Sequence, residues 1–214
     1  MKLYTYFRSS AAYRVRIALN LKGLPYESVP VHLVRDGGEQ RQPAYRALNP
    51  AGLVPALVDQ GEVLTQSLAI IEYLDEQHPT PALLPEGALD RARVRALAQT
   101  IACDTHPLNN LRVLQYLGKV LGADEAARQA WYRHWVAEGL GAVERLLAAD
   151  PRTGDFCHGN APGLADCCLV PQVFNARRFD CDLSGMPVIQ RIVARCESLP
   201  AFQQAAPEQQ PDVE

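Results

Sequence analysis

The alternation of apolar and polar residues predicts that the chain begins as strand, helix, strand. Residues 1–7 alternate and are rich in tyrosine and threonine, which is typical of a β-strand. Apolar residues then recur at helical spacing over residues 13–21, and Gly23 followed by Pro25 is a helix stop signal. Residues 26–31 form a second strand pattern. Because a helix connects these two strands, we expect them to pair in parallel.

The next part of the chain predicts a hairpin and a further helix. Strand patterns at residues 56–59 and 62–65 are separated by Gln60-Gly61, a tight-turn pair. Ser67 is expected to cap a helix that reaches about residue 77, and residues 39–48 form a short, weakly amphipathic helix or an irregular segment. The order of strands and helices describes a thioredoxin-like α/β domain.

A proline-rich stretch separates this domain from a region whose patterns are all helical. Residues 79–87 contain Pro79, Pro81, Pro85 and Gly87 and cannot continue a helix. Beyond this stretch the helical patterns cover residues 89–117, 124–149, 164–178 and 187–196. Because Pro107 interrupts the first of them, we expect a break near Thr105-His106. The predicted divisions are a thioredoxin-like domain (1–78), a linker (79–88) and an all-helical domain (89–214) with a mobile tail from about residue 203.

The start of the helix at residue 164 has an unusual cap. Gly163 occupies a position where a capping box would have serine or threonine, and Asp166 lies three residues later. The Asp166 carboxylate can still accept a hydrogen bond from the Gly163 amide. Since glycine is an acceptable N-cap, we expect the helix to form with a weaker start.

Composition and charge exclude several classes of function. The net charge of -3 and the pI near 6.0 give no general attraction to nucleic acid or to a membrane surface. No leader pattern and no apolar run long enough to cross a bilayer is present, so we expect a cytoplasmic protein. The six cysteines lack paired C-x-x-C spacing, which favours reduced, mostly buried thiols and no metal site.

Candidate chemistry lies where the first strand meets the first helix. Ser9 and Ser10 stand at this junction, and a serine before the first helical turn is a preferred N-cap. The free N–H groups at a helix start, together with the helix dipole, favour an anion such as a thiolate. Most such serine pairs are only caps, so this stretch alone does not establish a site.

Two further motifs change that interpretation. They are Asn49-Pro-Ala-Gly-Leu-Val-Pro-Ala-Leu57 and Gln66-Ser-Leu-Ala-Ile-Ile-Glu-Tyr-Leu74. With the Ser9 segment, they resemble the soluble glutathione transferases. The pattern Ser-Ser-x-x-aromatic-Arg-Val-Arg-Ile-Ala-Leu resembles the zeta class in particular, whose best known members are maleylacetoacetate and maleylpyruvate isomerases. The likeness runs from the first residue to about Phe202.

The resemblance implies a glutathione transferase architecture, a homodimer and glutathione as the cofactor. In this family the bond that matches Val54-Pro55 is cis, so that the Val54 backbone can pair with the ligand. Ser9, with Ser10 as the alternative, would donate a hydrogen bond to the glutathione sulfur. The glutathione contacts that the resemblance implies are Ser9, Ser10, Gln40, Val54, Gln66, Ser67, His106, Asn110 and Arg112.

The resemblance also suggests how a substrate is bound. Arg8, Arg112 and Arg178 stand at positions that line the family's electrophile pocket, which suggests a small dicarboxylic keto acid. Catalytic roles are assigned to Ser9, Ser10, Arg8 and Arg178. Arg14, like Arg16, is interpreted as structural, either snorkelling or pairing on the first helix.

The zeta-class motif usually has cysteine where this chain has Ala11, which favours an isomerase whose only active-site thiol is that of glutathione. The expected reaction converts a maleyl keto acid to the fumaryl isomer in aromatic-compound degradation, with maleylpyruvate favoured over maleylacetoacetate. One alternative is a general glutathione transferase that conjugates small electrophiles. Another is a non-catalytic module used for assembly, although such modules often lose the thiol-site residues that this chain keeps.

Overall fold

The computed structural model describes all 214 residues, which form two units. The first unit comprises Met1–Leu83 together with Ser198–Glu214, and the second comprises Leu84–Glu197. The change from one unit to the other after Leu83 falls within the predicted linker.

The first unit contains a four-stranded mixed sheet. Its strands are β1 (Lys2–Thr5), β2 (Glu27–Pro30), β3 (Ala56–Asp59) and β4 (Glu62–Thr65), in the order β2-β1-β3-β4. β1 pairs with β2 in parallel, as predicted, and β3 is antiparallel to both β1 and β4. Leu3, opposite Leu57 in the register, is fully buried, which explains the alternation seen in the sequence.

The helices of this part are α1 (Ser10–Leu21), α2 (Pro43–Leu48) and α3 (Ser67–Gln77). α1 packs against α3, and Ile17 and Leu74 are fully buried in the core. The irregular stretch before α2 contains a 3-10 turn at Glu39–Arg41. Residues 39–48, predicted as a short helix or an irregular segment, thus form a 3-10 turn followed by a brief α-helix.

The turn between β3 and β4 matches its sequence signal. Gln60 and Gly61 have φ values of 50° and 87°, so both residues lie in the left-handed region that a two-residue hairpin turn of this type requires. Glycine adopts this conformation without steric cost, whereas glutamine does not. The predicted hairpin is confirmed.

The second unit is helical, as predicted. Its α-helices are α4 (Ala88–Gln99), α5 (Leu111–Lys119), α6 (Glu125–Ala149), α7 (Leu164–Arg178) and α8 (Pro187–Glu197). α7 packs against α4 and α8 and is buried along most of its length. This burial on every side accounts for the nearly continuous apolar sequence of α7, including Cys167 and Cys168.

The predicted long helix at residues 89–117 is divided. A π-helical segment (Thr100–Thr105) follows α4, and a 3-10 turn (Pro107–Asn109) precedes α5. The predicted break near Thr105-His106 is confirmed, and Pro107, which lacks an N–H group, begins the 3-10 turn. The π-helical segment packs against α6, where Gly139 allows a close approach of Thr105.

Two buried carboxylates satisfy helix starts in this unit. Asp166 Oδ2 accepts from the Gly163 amide at 2.9 Å, as predicted for α7, and Asp166 Oδ1 accepts from the Cys157 amide at 2.9 Å. The Glu144 carboxylate accepts from the amides of Val188 and Ile189 at 3.0 and 2.9 Å, in the first turn of α8. The Glu144 contacts satisfy N–H groups that a helix leaves without partners in its first turn, and the Asp166 contacts hold the Gly163 cap and the segment at Cys157.

The C-terminal segment differs from the predicted mobile tail of the helical domain. Residues 198–214 belong to the first unit and include α9 (Pro200–Ala205), which packs against α1. Phe202 and Ala205 are buried, and Asn20 Nδ2 donates to the Ala201 carbonyl at 3.0 Å. The glutamine- and proline-rich composition concealed the few apolar residues that anchor this segment.

The six cysteines are all free thiols, and Cys157, Cys167, Cys168 and Cys196 are buried. Burial raises the pKa of the Cys167 thiol well above its usual value. No helix combines the length and the apolar character needed to cross a bilayer.

Candidate active site

Ser9 is the N-terminal cap of α1. Its Oγ accepts a hydrogen bond from the Ala12 amide at 3.2 Å, and its own amide donates to the Tyr6 carbonyl at 2.9 Å. A hydroxyl that accepts one hydrogen bond still has its proton to donate. Ser9 is half-buried, so this hydroxyl can cap the helix and also donate to an anion in front of it.

Exposure distinguishes the two serines. Ser10 is the first residue of α1 and is only 5% exposed, whereas Ser9 is half-buried. Exposure therefore favours Ser9 as the donor to a ligand thiolate, with Ser10 as the alternative. Ala11 is also half-buried, and the first unit contains no cysteine, because every cysteine lies between residues 103 and 196.

The start of α3 is suited to a second anionic group. Ser67 is the first helical residue rather than the predicted cap, and Gln66 occupies the cap position with φ 66° and ψ 114°. No side chain caps this helix, while Ser67 Oγ accepts from Arg14 Nη1 at 3.2 Å. A helix start beside a guanidinium group favours a carboxylate, both through its N–H groups and through charge.

Neither arginine of α1 snorkels to solvent. Arg14 is 2% exposed and connects α1 to Ser67 of α3, a role that the sequence interpretation missed. Arg16 is fully buried, and burial lowers its pKa to about 10, so it remains charged at neutral pH. Both lie inside an otherwise apolar run of α1, which is the signal that could have indicated buried, hydrogen-bonded guanidinium groups.

The loop before Val54 is held by two side chains that sequence reasoning also missed. Tyr45 Oη and Asn49 Nδ2 each donate to the Leu53 carbonyl at 2.7 Å. The Val54-Pro55 bond is cis, as the resemblance implied. Because the Leu53 carbonyl has two donors, the adjacent Val54 backbone is held in one place.

Gln40 lies near this loop with one polar atom unsatisfied. Its Nε2 donates to the Leu33 carbonyl at 3.2 Å, while its buried Oε1 accepts no hydrogen bond. Buried polar atoms without partners are uncommon in folded proteins and mark positions where a ligand donor can be accommodated. Gly52 also approaches the Gln40 carbonyl closely, since a Cβ built on it would lie 3.1 Å from that oxygen.

An apolar cluster joins the Ser9 loop to the Val54 loop. Phe7, two residues before Ser9, packs with Val54 and Tyr45, and Tyr6 and Val31 complete the cluster. Within the first unit, the structure thus brings the predicted backbone site at Val54 beside the loop that carries Arg8 and Ser9.

The other predicted residues lie in the second unit. Asn110 caps α5 by accepting from the Arg112 amide at 3.1 Å, and its Nδ2 lies 3.4 Å from His106 Nε2. Asn110 therefore has a structural role in addition to the predicted ligand contact. His106 follows directly after the π-helical segment, a feature often found at functional sites.

The three predicted substrate arginines share an exposed position and make no ion pair. They are Arg8, Arg112 and Arg178. The Arg8 guanidinium carbon lies 4.8 Å from the centre of the Phe7 ring, and that of Arg178 lies 5.1 Å from the centre of the Phe179 ring. By contrast, the neighbouring Arg177 pairs with Glu197 at 2.6 Å. Arg178 therefore keeps its charge available for a ligand.

Known proteins are similar to this chain in sequence and in structure. Residues 3–82 match the family model described as glutathione S-transferase, N-terminal domain. A probable maleylacetoacetate isomerase of Vibrio cholerae is 56% identical over 210 residues, which cover 98% of this chain and 97% of that protein. A holo structure of maleyl pyruvate isomerase, a bacterial zeta-class glutathione S-transferase, matches with TM-score 0.97 and 55% identity over 100% of both chains. The chain belongs to the zeta-class glutathione S-transferases.

A further solved structure in the comparison contains ligands. Maleylacetoacetate isomerase from Methylobacterium extorquens AM1, with bound malonate and glutathione, matches with TM-score 0.96 and 42% identity over 100% of both chains. Malonate, the ligand of that structure, is a small dicarboxylate. Membership in the class confirms the predicted fold class, a thioredoxin-like N-terminal part and a helical second part.

Proposed function

We propose that this zeta-class protein is a glutathione-dependent cis–trans isomerase that converts a maleyl keto acid to its fumaryl isomer. The observation that carries the proposal is the half-buried Ser9 hydroxyl at the start of α1, in a unit without a cysteine. Such a site stabilises a thiolate that a ligand must bring. The full-length similarity to proteins named as isomerases supports the reaction type.

The first unit fits glutathione on three counts. The start of α3, with Ser67 and Gln66, offers N–H and hydroxyl donors to the γ-glutamyl carboxylate, and Arg14 adds positive charge behind Ser67. The fixed Val54 backbone offers a strand-like partner to the cysteinyl unit. The unsatisfied Gln40 Oε1 can accept from an N–H group of the peptide after a small side-chain shift.

When bound, glutathione supplies a thiolate that can add reversibly to a cis carbon–carbon double bond and so permit rotation about that bond. The Ser9 hydroxyl donates a hydrogen bond to the thiolate sulfur and, together with the dipole of α1, lowers the thiol pKa. We assign a ligand contact to His106 and Asn110 as well. The protein's own groups thus act by orientation and by stabilising negative charge.

Substrate carboxylates are assigned to Arg8, Arg112 and Arg178. Guanidinium groups bind carboxylates in a bidentate manner, and a maleyl keto acid carries a carboxylate at each end. A general transferase for hydrophobic electrophiles has no need for such charges. The exposed, unpaired state of these arginines therefore favours the isomerase over the conjugating alternative.

The substrate that we favour is maleylpyruvate, with maleylacetoacetate second. Maleylpyruvate carries a carboxylate directly beside its keto group, which gives an arginine-rich site an additional contact. The comparison proteins carry both names at nearly equal identity, 56% and 55%, and therefore do not separate the two substrates.

The proposal is tested by the ultraviolet absorbance of maleylpyruvate mixed with the purified protein, with and without glutathione. Fumarylpyruvate hydrolase provides the coupling check for the fumaryl product. We expect the absorbance of maleylpyruvate to fall only when glutathione is present. Rapid turnover of maleylacetoacetate but not of maleylpyruvate would identify maleylacetoacetate as the substrate. No turnover of either compound would favour the conjugating transferase.

Replacing Arg178 by alanine should raise KM for the keto acid about tenfold to a hundredfold, since a hydrogen bond to a charged group contributes about 1.5–3 kcal/mol. KM for glutathione should change much less. The matched control is Arg177→Ala, which removes the adjacent exposed arginine and its pair with Glu197. Steady-state kinetics with each substrate varied in turn measures both constants. Equal effects of Arg178→Ala on the two constants would argue against a substrate contact.

Replacing Gln66 by glycine should raise KM for glutathione about tenfold without lowering the free energy of unfolding. The Gln66 φ of 66° is strained for glutamine by about 1–3 kcal/mol, which offsets the entropic cost of glycine. Gln60→Gly is the control, because Gln60 also has a positive φ, 50°, but lies in the hairpin turn. Urea unfolding and glutathione saturation curves test both variants. A Gln60→Gly variant with the same loss of affinity would contradict the role of Gln66.

We further propose a cytoplasmic homodimer. The free cysteines are consistent with a reducing compartment. The dimer is suggested by the family resemblance, and sedimentation equilibrium of the purified protein tests it directly.

A further inference from the structure

The C-terminal segment contacts the loop that carries Arg8 and Ser9. The Phe7 amide donates to Asp212 Oδ2 at 2.9 Å, although the two residues are separated by 205 positions in the sequence. A carboxylate acceptor gives a stronger hydrogen bond than a neutral oxygen does. The other carboxylate oxygen, Oδ1, is buried and accepts no hydrogen bond, so the contact with Phe7 is the one that Asp212 makes.

Arg16 holds the opposite side of the same loop. Its Nη2 donates to the Phe7 carbonyl at 3.0 Å, its Nη1 donates to the Tyr6 carbonyl at 3.4 Å, and its Nε donates to the Ala205 carbonyl at 3.0 Å. One buried guanidinium group thus connects the loop to α9. The negative charge of Asp212 also acts favourably on this guanidinium.

Phe7 is therefore fixed through both of its peptide groups by side chains of opposite charge. Its N–H is held by Asp212 and its carbonyl by Arg16. The Ser9 amide, in turn, donates to the Tyr6 carbonyl, which Arg16 also contacts. The direction of the Ser9 hydroxyl consequently depends on contacts that the C-terminal segment completes.

We propose that Asp212 is a positioning residue that, through the Phe7 amide, holds the Ser9 hydroxyl where it stabilises the glutathione thiolate. This inference rests on the thiol-stabilising role proposed for Ser9. Asp212 does not touch the ligand in this account. It acts through the loop, which distinguishes it from the residues assigned above.

Three variants of the full-length protein test the inference. Asp212→Ala removes the acceptor, and Asp212→Asn keeps an acceptor of the same shape without the charge. Glu208→Ala is the matched control, since Glu208 is an exposed acid in the same segment. Each variant is first checked by thermal unfolding. The pKa of the bound glutathione thiol is then measured from thiolate absorbance, and amide hydrogen exchange is followed over residues 6–12.

We expect Asp212→Ala to raise the bound-thiol pKa toward that of free glutathione and to speed exchange in the loop. Because small misplacements of reacting groups are costly, kcat should fall about tenfold or more, with KM for glutathione changing less than about threefold. Asp212→Asn should give a thiol pKa between those of the wild type and Asp212→Ala. Glu208→Ala should match the wild type in every measurement.

Wild-type thiol pKa and wild-type loop exchange in both folded Asp212 variants would overturn the inference. If Asp212→Ala does not fold, a wild-type thiol pKa and wild-type loop exchange in Asp212→Asn alone would overturn the inference. The thiol pKa and the exchange are measured without a keto acid. A wild-type protein that binds glutathione but isomerises no keto acid would therefore overturn the proposed reaction while leaving the role of Asp212 to be decided by these two measurements.

Discussion

Replacing Ser9 by alanine should lower kcat about a hundredfold to a thousandfold, the usual cost of removing one donor that stabilises developing charge. The variant loses the hydroxyl at the start of α1, so the bound-thiol pKa should rise. The same change removes the helix cap and should lower the free energy of unfolding by about 1 kcal/mol. Steady-state kinetics, thiolate absorbance and urea unfolding measure the three effects.

Ser9→Gly separates the two roles of this side chain. Glycine is a good N-cap and costs only about a few tenths of a kcal/mol, so Ser9→Gly should lose activity with little loss of stability. Ser10→Ala provides the neighbouring control and should retain most of the activity. Full activity in Ser9→Ala with a loss in Ser10→Ala would transfer the role to Ser10, and full activity in both would transfer it to the amides of α1.

Replacing Gly139 by alanine should lower the free energy of unfolding by about 1–3 kcal/mol, which is typical of overpacking. A Cβ at Gly139 would overlap Thr105 Oγ1 and would lie 2.7 Å from Thr105 Cγ2. Thr105 is 2% exposed, and its hydroxyl donates to the Thr100 carbonyl at 2.8 Å, so it cannot simply rotate away. Thermal and urea unfolding of the variant measure the effect.

Replacing Gly141 of the same helix by alanine should instead raise the free energy of unfolding. The nearest atom to a Cβ at Gly141 is Arg145 Nη1 at 3.6 Å, which is an ordinary contact. Alanine in an unobstructed helix position is favoured over glycine by about 1 kcal/mol, so this variant should be more stable than the wild type. Equal stabilisation by both substitutions would show that the π-helical segment moves freely away from α6.

Local features of the fold could be predicted because their partners lie within a few residues. Ser9 accepts from the Ala12 amide, and Asp166 accepts from the Gly163 amide, each three positions away. The turn at Gln60-Gly61 depends only on the φ preferences of two adjacent residues. The predicted limits of β3, β4 and α7 coincide with those in the structure.

Features that depend on distant partners could not be predicted in this way. Arg14 bonds to Ser67, 53 positions away, and Arg16 bonds to the carbonyl of Ala205, 189 positions away. The apolar run around these two arginines indicates burial, but it does not identify partners so far away in the chain. The same limit explains the C-terminal segment, which has too few apolar residues for a periodic pattern and is anchored by distant contacts to α1 and to Phe7.

The candidate site was predicted in part. The motifs identified the side chains that we propose as ligand contacts, such as Ser9 and Ser67, through resemblance to a family. The supporting side chains Tyr45, Asn49 and Arg14 were missed because their role is to hold other protein groups in place. The π-helical segment was also missed, since Pro107 predicted a break but the wider backbone depends on packing against Gly139.

The division of the chain has a consequence for its synthesis. Leu84–Glu197 is continuous and can fold as a unit while later residues are still being added, whereas the first unit also needs Ser198–Glu214. The Phe7 amide therefore has no carboxylate acceptor until the ribosome has added Asp212. Although β1 emerges before the second unit, the first unit with its Ser9 loop is completed only when Ser198–Glu214 has been translated.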